Sequence, residues 1–287
     1  LKYFYSRNKT KYAKKGLKSA LRMIDRKTRH PDHNIKDNAK KIKSVENFYK
    51  QLELNPKKKT CFIFSHNLLD GVNGGKSVKV FKDYLTWLRE TLLFINKLND
   101  DINWVIKEHP SDYGFDKMNT NTKIEFEDLI DRNKKNIKFF PDNFDQSIIR
   151  DVASCVITQG GSSGMEYPCF GIHSVNSSGI FYSDKNFTHN YKNKKEYFNL
   201  LENMNKILKY KLPKKQIKIA RVHFFLSYIL IRYKHPLLYQ FDITRNLSSE
   251  EFFKEILKLI NKYDQKKDKF EIYFKQLLYN KNKHLIN

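Results

Sequence analysis

The chain has 287 residues, with 55 Lys or Arg against 31 Asp or Glu, and a formal net charge of +24. Hydrophobic residues make up 40% and aromatic residues 14%, which excludes a disordered chain, while 10 glycines and 7 prolines exclude collagen-like and low-complexity classes. The three cysteines are too few for a disulfide framework and lack zinc-site spacing, so we expect a reducing, cytosolic compartment and no metal site. The charge indicates a polyanionic neighbour, or a compositional bias alone.

The first segment, residues 1–55, is very basic and is predicted to be helical. Apolar residues recur at helical spacing around Leu17 and again around Phe48, and the polar run 55–59 predicts a boundary. We expect this segment to be what remains of a truncated N-terminal domain, because the chain begins at Leu1. Its first residues lack the apolar core of a signal peptide, and no stretch of the sequence reads as a transmembrane helix.

The second segment, residues 56–213, alternates between predicted strands and helices. Short apolar runs predict strands at 61–64, 102–106, 137–141, 155–158 and, as the last one, 172–175. Helical spacing lies between them, at 84–95, 124–130, 144–152 and 165–170. This alternation predicts an α/β fold, a Rossmann-like parallel sheet with flanking helices.

The third segment, residues 214–287, is predicted to be helical. Helices are expected at 217–231, 249–263 and 270–278, and the run from Ser248 to Glu251 is a predicted N-terminal cap for the second of them.

Polar residues follow three of the predicted strands. Ser65 and His66 follow the first strand, Lys107 and His109 the second, and Gln159 the fourth. Ligands of open α/β sheets bind beyond the carboxyl ends of the strands, so we expect these side chains to line one substrate site. Lys107 and His109 are predicted to contact a phosphate or a sugar acid, although a loop Lys can be merely solvated and a His before Pro merely structural.

A glycine- and serine-rich turn leads from the fourth strand into a helix. Gly160, Gly161, Ser162 and Ser163 offer backbone N–H groups and hydroxyls to a phosphate at the start of that helix. Alternatively, Ser163 caps the helix and Glu166 completes a capping box. The two interpretations are compatible.

His66 is a predicted acid/base group or ligand contact. Ser65 lacks the GxSxG surroundings of a nucleophile elbow, which argues against a hydrolase triad. Asp70 is the nearest carboxylate in the sequence, and loop aspartates are also frequent turn formers. Tyr182 follows the last predicted strand and either lines the donor pocket or packs beneath a loop.

Several motifs, taken in order over about residues 60–205, resemble a known family. Ser65-His66, the run 104–110 (WVIKEHP) and the run 162–168 (SSGMEYP) resemble the nucleotide-binding half of GT-B glycosyltransferases, in particular the capsule polysaccharide biosynthesis group that includes Kdo transferases. The loop 182–188 followed by Glu196-Tyr197 is similar to the end of that group's domain. Teichoic-acid glycerophosphotransferases share a similar layout.

The resemblance implies a metal-independent, inverting glycosyltransferase without a cofactor. Its donor would be a nucleotide sugar, with CMP as a candidate nucleotide, and its acceptor a capsule or lipopolysaccharide glycan or another lipid-linked glycan. The implied donor contacts are Gly161, Ser162 and Ser163 at the phosphate, Glu166 at the ribose, and Lys107 and His109 at the phosphate or carboxylate. His66 and Asp70 are the candidates for the catalytic base, which such enzymes usually take from the N-terminal half.

Two other functions are open at this point. A basic, non-enzymatic α/β module would bind nucleic acid or an anionic membrane electrostatically, although no nucleic-acid-binding motif is present and nucleic acid is not the expected partner. An enzyme of the same fold could instead transfer glycerophosphate or epimerise a sugar. For a glycosyltransferase, the charge of +24 predicts a peripheral position on the cytoplasmic face of the plasma membrane.

Overall fold

The computed structural model describes residues 9–27, 41–66, 80–109, 122–230, 248–268 and 272. The chain forms two compact units, Leu1–Ile229 and Leu230–Asn287. The boundaries predicted after residues 55 and 213 therefore both fall inside the first unit. That residues 1–55 remain from a larger domain stays a prediction.

The described part of the first unit contains a six-stranded sheet in which every strand pair is parallel. Its strands are β1 (Lys59–Phe64), β2 (Ile102–Lys107), β3 (Ile137–Phe139), β4 (Cys155–Ile157), β5 (His173–Ser177) and β6 (His189–Tyr191). Their order is β3-β2-β1-β4-β5-β6, so the chain reverses its direction of travel across the sheet between β1 and β4. The predicted Rossmann-like α/β fold is confirmed.

The prediction that the fifth strand is the last one was wrong. β6 pairs with β5 through residues 189–191. It has three residues, two of them His and Asn, and only Tyr191 is buried, so it lacks the apolar run that reveals the other strands.

Most helices of the described residues lie at the predicted positions with changes at their ends, whereas the helix at 204–208 was not predicted. They are α1 (Lys9–Lys27), α2 (Val45–Gln51), α3 (Tyr84–Ile95), α4 (Thr122–Phe126), α5 (Ile149–Val152), α6 (Ser163–Glu166), α7 (Lys194–Glu202), α8 (Met204–Leu208), α9 (Lys214–Phe225) and α10 (Ser249–Lys262). A 3-10 turn at Glu127–Leu129 extends α4, one at Gln146–Ile148 precedes α5 and one at Tyr167–Phe170 follows α6, while a π-helical turn, Leu226–Leu230, follows α9. The predicted helix 270–278 lies outside the described residues apart from residue 272.

Both faces of the sheet are covered, which explains why its longer strands are continuous apolar runs. Helices α3, α7 and α8 pack on one face around Trp87 and Tyr197. On the other face α2 buries Phe48 fully against Phe62 and Phe144. Helix α2 is therefore part of the sheet's core, although the sequence places it in a separate segment.

Helix α1 packs against α9 at a very close approach. A Cβ atom on Gly16 would overlap the backbone carbonyl oxygen of Arg221, so only glycine fits there. Ala20 and Ala220 are fully buried in the cluster that joins these helices to α6. Small residues thus set the spacing between the two helices.

In the second unit, α10 begins with the expected capping box. The Ser248 hydroxyl accepts from the backbone N–H of Glu251, whose carboxylate accepts from the backbone N–H of Ser248.

Within the described ranges, no helix is both long and apolar enough to cross a membrane.

Candidate functional site

A cavity of about 180 Å³ lies at the carboxyl ends of β1, β2 and β4. It sits at the point where the strand order reverses, which is where open α/β sheets bind ligands. Its lining residues are Phe64, Ser65, His66, Lys107, Glu108, His109, Gln146, Thr158, Gly161, Ser162 and Ser163.

The cavity brings together seven of the predicted site residues, including one lysine and two histidines. These seven are Ser65, His66, Lys107, His109, Gly161, Ser162 and Ser163. Four others, Gln159, Gly160, Glu166 and Tyr182, do not line it. Asp70 lies outside the described residues.

Lys107 places its ammonium at the end of β2. Its Nζ atom donates to the backbone carbonyl of Glu108 over 2.9 Å and lies 5.5 Å from the centre of the Phe140 ring. The adjacent Glu108 is buried, and its Oε1 atom accepts from the backbone N–H of Lys123 over 2.8 Å. Glu108 therefore ties the end of β2, where Lys107 and His109 flank it, to the start of α4.

His66 is held rigidly at the end of β1. Its ring stacks on Tyr84 with centroids 3.9 Å apart and planes 8° apart. Its Nε2 atom lies 3.0 Å from the Thr158 hydroxyl and accepts from the backbone N–H of Gln159 over 3.3 Å. This network assigns the neutral tautomer with the proton on Nδ1.

The protonation of His66 agrees with that tautomer. Burial, and to a lesser extent the neighbouring His109, lowers the pKa of His66 from 6.5 to about 3. Protonating Nε2 would also cost both of the hydrogen bonds that this atom accepts. His66 is therefore neutral near pH 7.

The turn after β4 is held from two sides through Gly161. The N–H of Gly161 donates to the Thr158 hydroxyl over 3.0 Å. Because His66 Nε2 is an acceptor, the same hydroxyl directs its own proton to His66. On the other side, the Tyr182 hydroxyl donates to the carbonyl oxygen of Gly161 over 2.6 Å and lies 2.9 Å from Asn176 Oδ1. Both polar backbone atoms of one residue are thus fixed by side chains.

Gly164 lets α6 approach this network closely. A Cβ atom at Gly164 would collide with Asn176 Oδ1 and with the Tyr182 hydroxyl. Asn176 is fully buried and donates through Nδ2 to the Ser174 hydroxyl over 2.6 Å. The sequence reveals neither Asn176 nor Thr158 as a site residue, because their roles depend on contacts between strands.

The capping box predicted at this turn was wrong. Ser163 is the first residue of α6 rather than its cap, and Ser162 precedes it with helical backbone angles and no side-chain capping bond. The Ser163 hydroxyl is consequently available as part of the cavity wall. Glu166 is fully buried, so its predicted contact with a ribose stays a prediction.

Gln159 has an unusual environment beside the site. Its side chain is 1% exposed, and among the described residues neither its amide nitrogen nor its amide oxygen has a hydrogen-bond partner. The preceding residue, Thr158, lines the cavity, whereas Gln159 is buried beside it and does not line it.

No protein-family model matches the chain, and no curated protein matches it. Among solved structures, it is similar to the wall teichoic acid polymerase TagF, at 13% identity and a TM-score of 0.39 over 74% of this chain and 47% of that chain. It is also similar to a glycosyltransferase from Rickettsia africae, at 14% identity and a TM-score of 0.44 over 75% of this chain and 53% of that chain. A third is KpsC from Thermosulfurimonas dismutans, a beta Kdo 2,4 transferase, at 11% identity and a TM-score of 0.38 over 72% of this chain and 55% of that chain.

The chain spans about half the length of these proteins. They include a wall teichoic acid polymerase and a Kdo transferase, which are the kinds of protein that the sequence motifs resemble.

Proposed function

We propose that this chain is the donor-binding part of a glycosyltransferase that moves a sugar from a nucleotide sugar to a surface polysaccharide or lipid-linked glycan. The observation that carries the proposal is the cavity at the point where the strand order reverses. Lys107, His109, Ser162 and Ser163 all line this cavity. Basic side chains and hydroxyl donors around one small space suit a phosphate group.

The size of the cavity indicates which part of the donor it would hold. Its volume of about 180 Å³ is below the roughly 300–1,000 Å³ of pockets that enclose a whole drug-sized ligand. A phosphate or diphosphate group fits this space, whereas the base and the sugar of the donor would extend beyond it. We therefore assign the cavity to the donor's phosphate.

The proposed chemistry is a direct, inverting displacement. The acceptor hydroxyl attacks the anomeric carbon, the bond from that carbon to the phosphate oxygen breaks, and its electron pair remains on the phosphate. Lys107, and His109 when protonated, would stabilise that developing charge, which is the contribution that a metal ion makes in other enzymes. We propose a metal-independent reaction on this basis.

The acceptor's proton must go to a base. In the tautomer described above, His66 has no free lone pair, because Nε2 accepts hydrogen bonds and Nδ1 carries the proton. We therefore propose that His66 positions the turn around Gly161. Asp70 is then the candidate base to test first.

A nucleotide-binding experiment tests the proposal. Melting temperatures of the full chain are measured with CMP, CDP, UMP, UDP, GDP and pyrophosphate, because a ligand that binds only the folded state raises the melting temperature. We expect one class of nucleotide to raise it, and pyrophosphate to do so more weakly. Substituting Lys107→Met keeps the apolar stem against Phe140 but removes the charge, so the nucleotide shift should disappear.

Lys138→Met is the matched control. Lys138 lies on the neighbouring strand β3 and lines a different cavity, so its loss should leave the nucleotide shift unchanged. The proposal is refuted if no nucleotide stabilises the chain, or if the Lys107 and Lys138 variants respond to nucleotide alike.

A further inference from the structure

Helix α1 presents a one-sided stripe of exposed lysines. Lys11, Lys14, Lys15 and Lys18 follow one another at intervals of three, one and three residues, which places them on one face of the helix. The first acidic residue of α1 is Asp25, near its other end. The opposite face is buried against α9 through Ala13, Gly16 and Ala20.

Helix α9 extends this basic surface. Lys214 and Lys215 are exposed, and Lys218 donates from Nζ to the hydroxyl of Thr10 on α1 over 3.1 Å. No acidic residue occurs in α9. We call the set the lysine surface, and its members are Lys11, Lys14, Lys15, Lys18, Lys214, Lys215 and Lys218.

In the part of the chain that the structure describes, no carboxylate neutralises the lysine surface. Among the described residues, none of its members forms an ion pair, in contrast to Lys134, Lys185 and Lys194, each of which binds a carboxylate at 2.6–2.7 Å. Seven like charges on two adjacent helices attract a polyanion strongly.

The chemistry of the lysine surface favours a lipid bilayer over a nucleic acid. Its cations are all lysines, which act as compact, strongly hydrated point charges, whereas Arg221 donates from Nε to the backbone carbonyl of Cys169. The aromatic side chain nearest to the stripe, Tyr12, is half-buried and stacks on Phe225. Exposed aromatic rings for stacking on bases, which single-stranded nucleic acid requires, are thus lacking in the described part of these two helices.

The helix that carries four of these seven lysines also packs near the candidate site. Helix α1 packs against the 3-10 turn Gln146–Ile148, and Gln146 lines the cavity at the strand reversal. From these observations we propose that the lysine surface docks the chain on an anionic phospholipid bilayer. The docking itself does not depend on the proposed donor or reaction.

The test is co-sedimentation of the full chain with vesicles of phosphatidylcholine alone and of phosphatidylcholine mixed with phosphatidylglycerol. We expect binding only to the anionic vesicles, and weaker binding as salt is raised. The variant Lys11→Gln/Lys14→Gln/Lys18→Gln/Lys214→Gln removes four charges while glutamine preserves helix propensity. Since each lysine near an anionic surface contributes roughly fivefold to binding, the partition coefficient should fall by several hundredfold.

A control that removes the same number of charges elsewhere distinguishes binding through the lysine surface from a general effect of net charge. The variant Lys57→Gln/Lys59→Gln/Lys195→Gln/Lys209→Gln removes four exposed lysines elsewhere on the same unit and should bind nearly as the unsubstituted chain does. Both variants must show the circular dichroism of the parent. Equal losses in the two variants, binding to phosphatidylcholine alone, or tighter binding to single-stranded DNA than to anionic vesicles at the same salt would each overturn the proposal.

Discussion

Side chains bind both the N–H and the carbonyl oxygen of Gly161, and from these contacts we predict the effect of a substitution at Tyr182. The Tyr182→Phe substitution removes one buried hydroxyl, which donates to the Gly161 carbonyl and lies beside Asn176 Oδ1. The Gly161 carbonyl keeps a second partner, the N–H of Gly164 at 3.1 Å. The hydroxyl has a single proton, which these two acceptors share, and Asn176 Oδ1 has no other donor among the described residues. The substitution therefore leaves Asn176 Oδ1 buried and unsatisfied.

The cost follows from these contacts. A net hydrogen bond contributes about 1 kcal/mol, and an unsatisfied buried acceptor costs about 1–3 kcal/mol. We therefore expect the free energy of unfolding to fall by about 2 kcal/mol, measured by urea denaturation with an unchanged m-value.

Tyr191→Phe is the matched control. Tyr191 is as fully buried as Tyr182, but its hydroxyl has no hydrogen-bond partner among the described residues. Removing that hydroxyl relieves an unsatisfied group, so stability should stay the same or rise slightly. If the two substitutions destabilise the chain equally, or if Tyr182→Phe costs less than about 0.5 kcal/mol, the hold on Gly161 by Tyr182 is refuted.

Two further predictions concern His66 and Gly16. The pKa of His66 is about 3 in the folded state and usually 6.5, so between these pH values the unfolded chain binds more protons than the folded chain. The free energy of unfolding should therefore decrease as the pH falls from 6.5 to 3. His66 contributes at most about 1.4 kcal/mol per pH unit to this decrease. In His66→Gln, which keeps an acceptor that does not titrate, urea denaturation at several pH values should show a smaller slope, and an unchanged slope would contradict the assignment. Gly16→Ala should destabilise the chain by about 1–3 kcal/mol through overpacking against Arg221, whereas stabilisation, the usual result of Gly→Ala in a helix, would show that α1 and α9 are not in close contact.

The sheet was predictable from sequence where burial leaves a signature. β1, β2 and β4 are covered on both faces, so their sequences are unbroken apolar runs, and each of them was found. β6 was missed because its place depends on backbone pairing with β5 and not on its own composition. The boundary expected at residues 55–59 reflected a change in composition, whereas Phe48 shows that packing continues across it.

The candidate site was predictable only in part, for a related reason. Parallel strands present their carboxyl ends at one edge of the sheet, and this rule predicted that Ser65, Lys107 and Ser163 lie close together. All three line the same cavity. It does not say which way each side chain points, and Glu166 and Tyr182 are fully buried behind the turn. Contacts between different strands decide that direction, and a single sequence does not show them.

The turn around Gly161 is held by residues that follow three different strands. Residues that position this turn can be distinguished by experiment from residues that contact the donor. Thr158 follows β4, His66 follows β1 and Tyr182 follows β5, and all three converge on Gly161 directly or through one hydrogen bond. A preorganised turn of this kind presents the same geometry to every ligand that carries a phosphate. Loosening it should therefore weaken pyrophosphate and nucleotide by the same factor, whereas loss of a residue that contacts the base or ribose should weaken the nucleotide alone. The ratio of the two affinities in Tyr182→Phe thus assigns Tyr182 to the turn or to the donor.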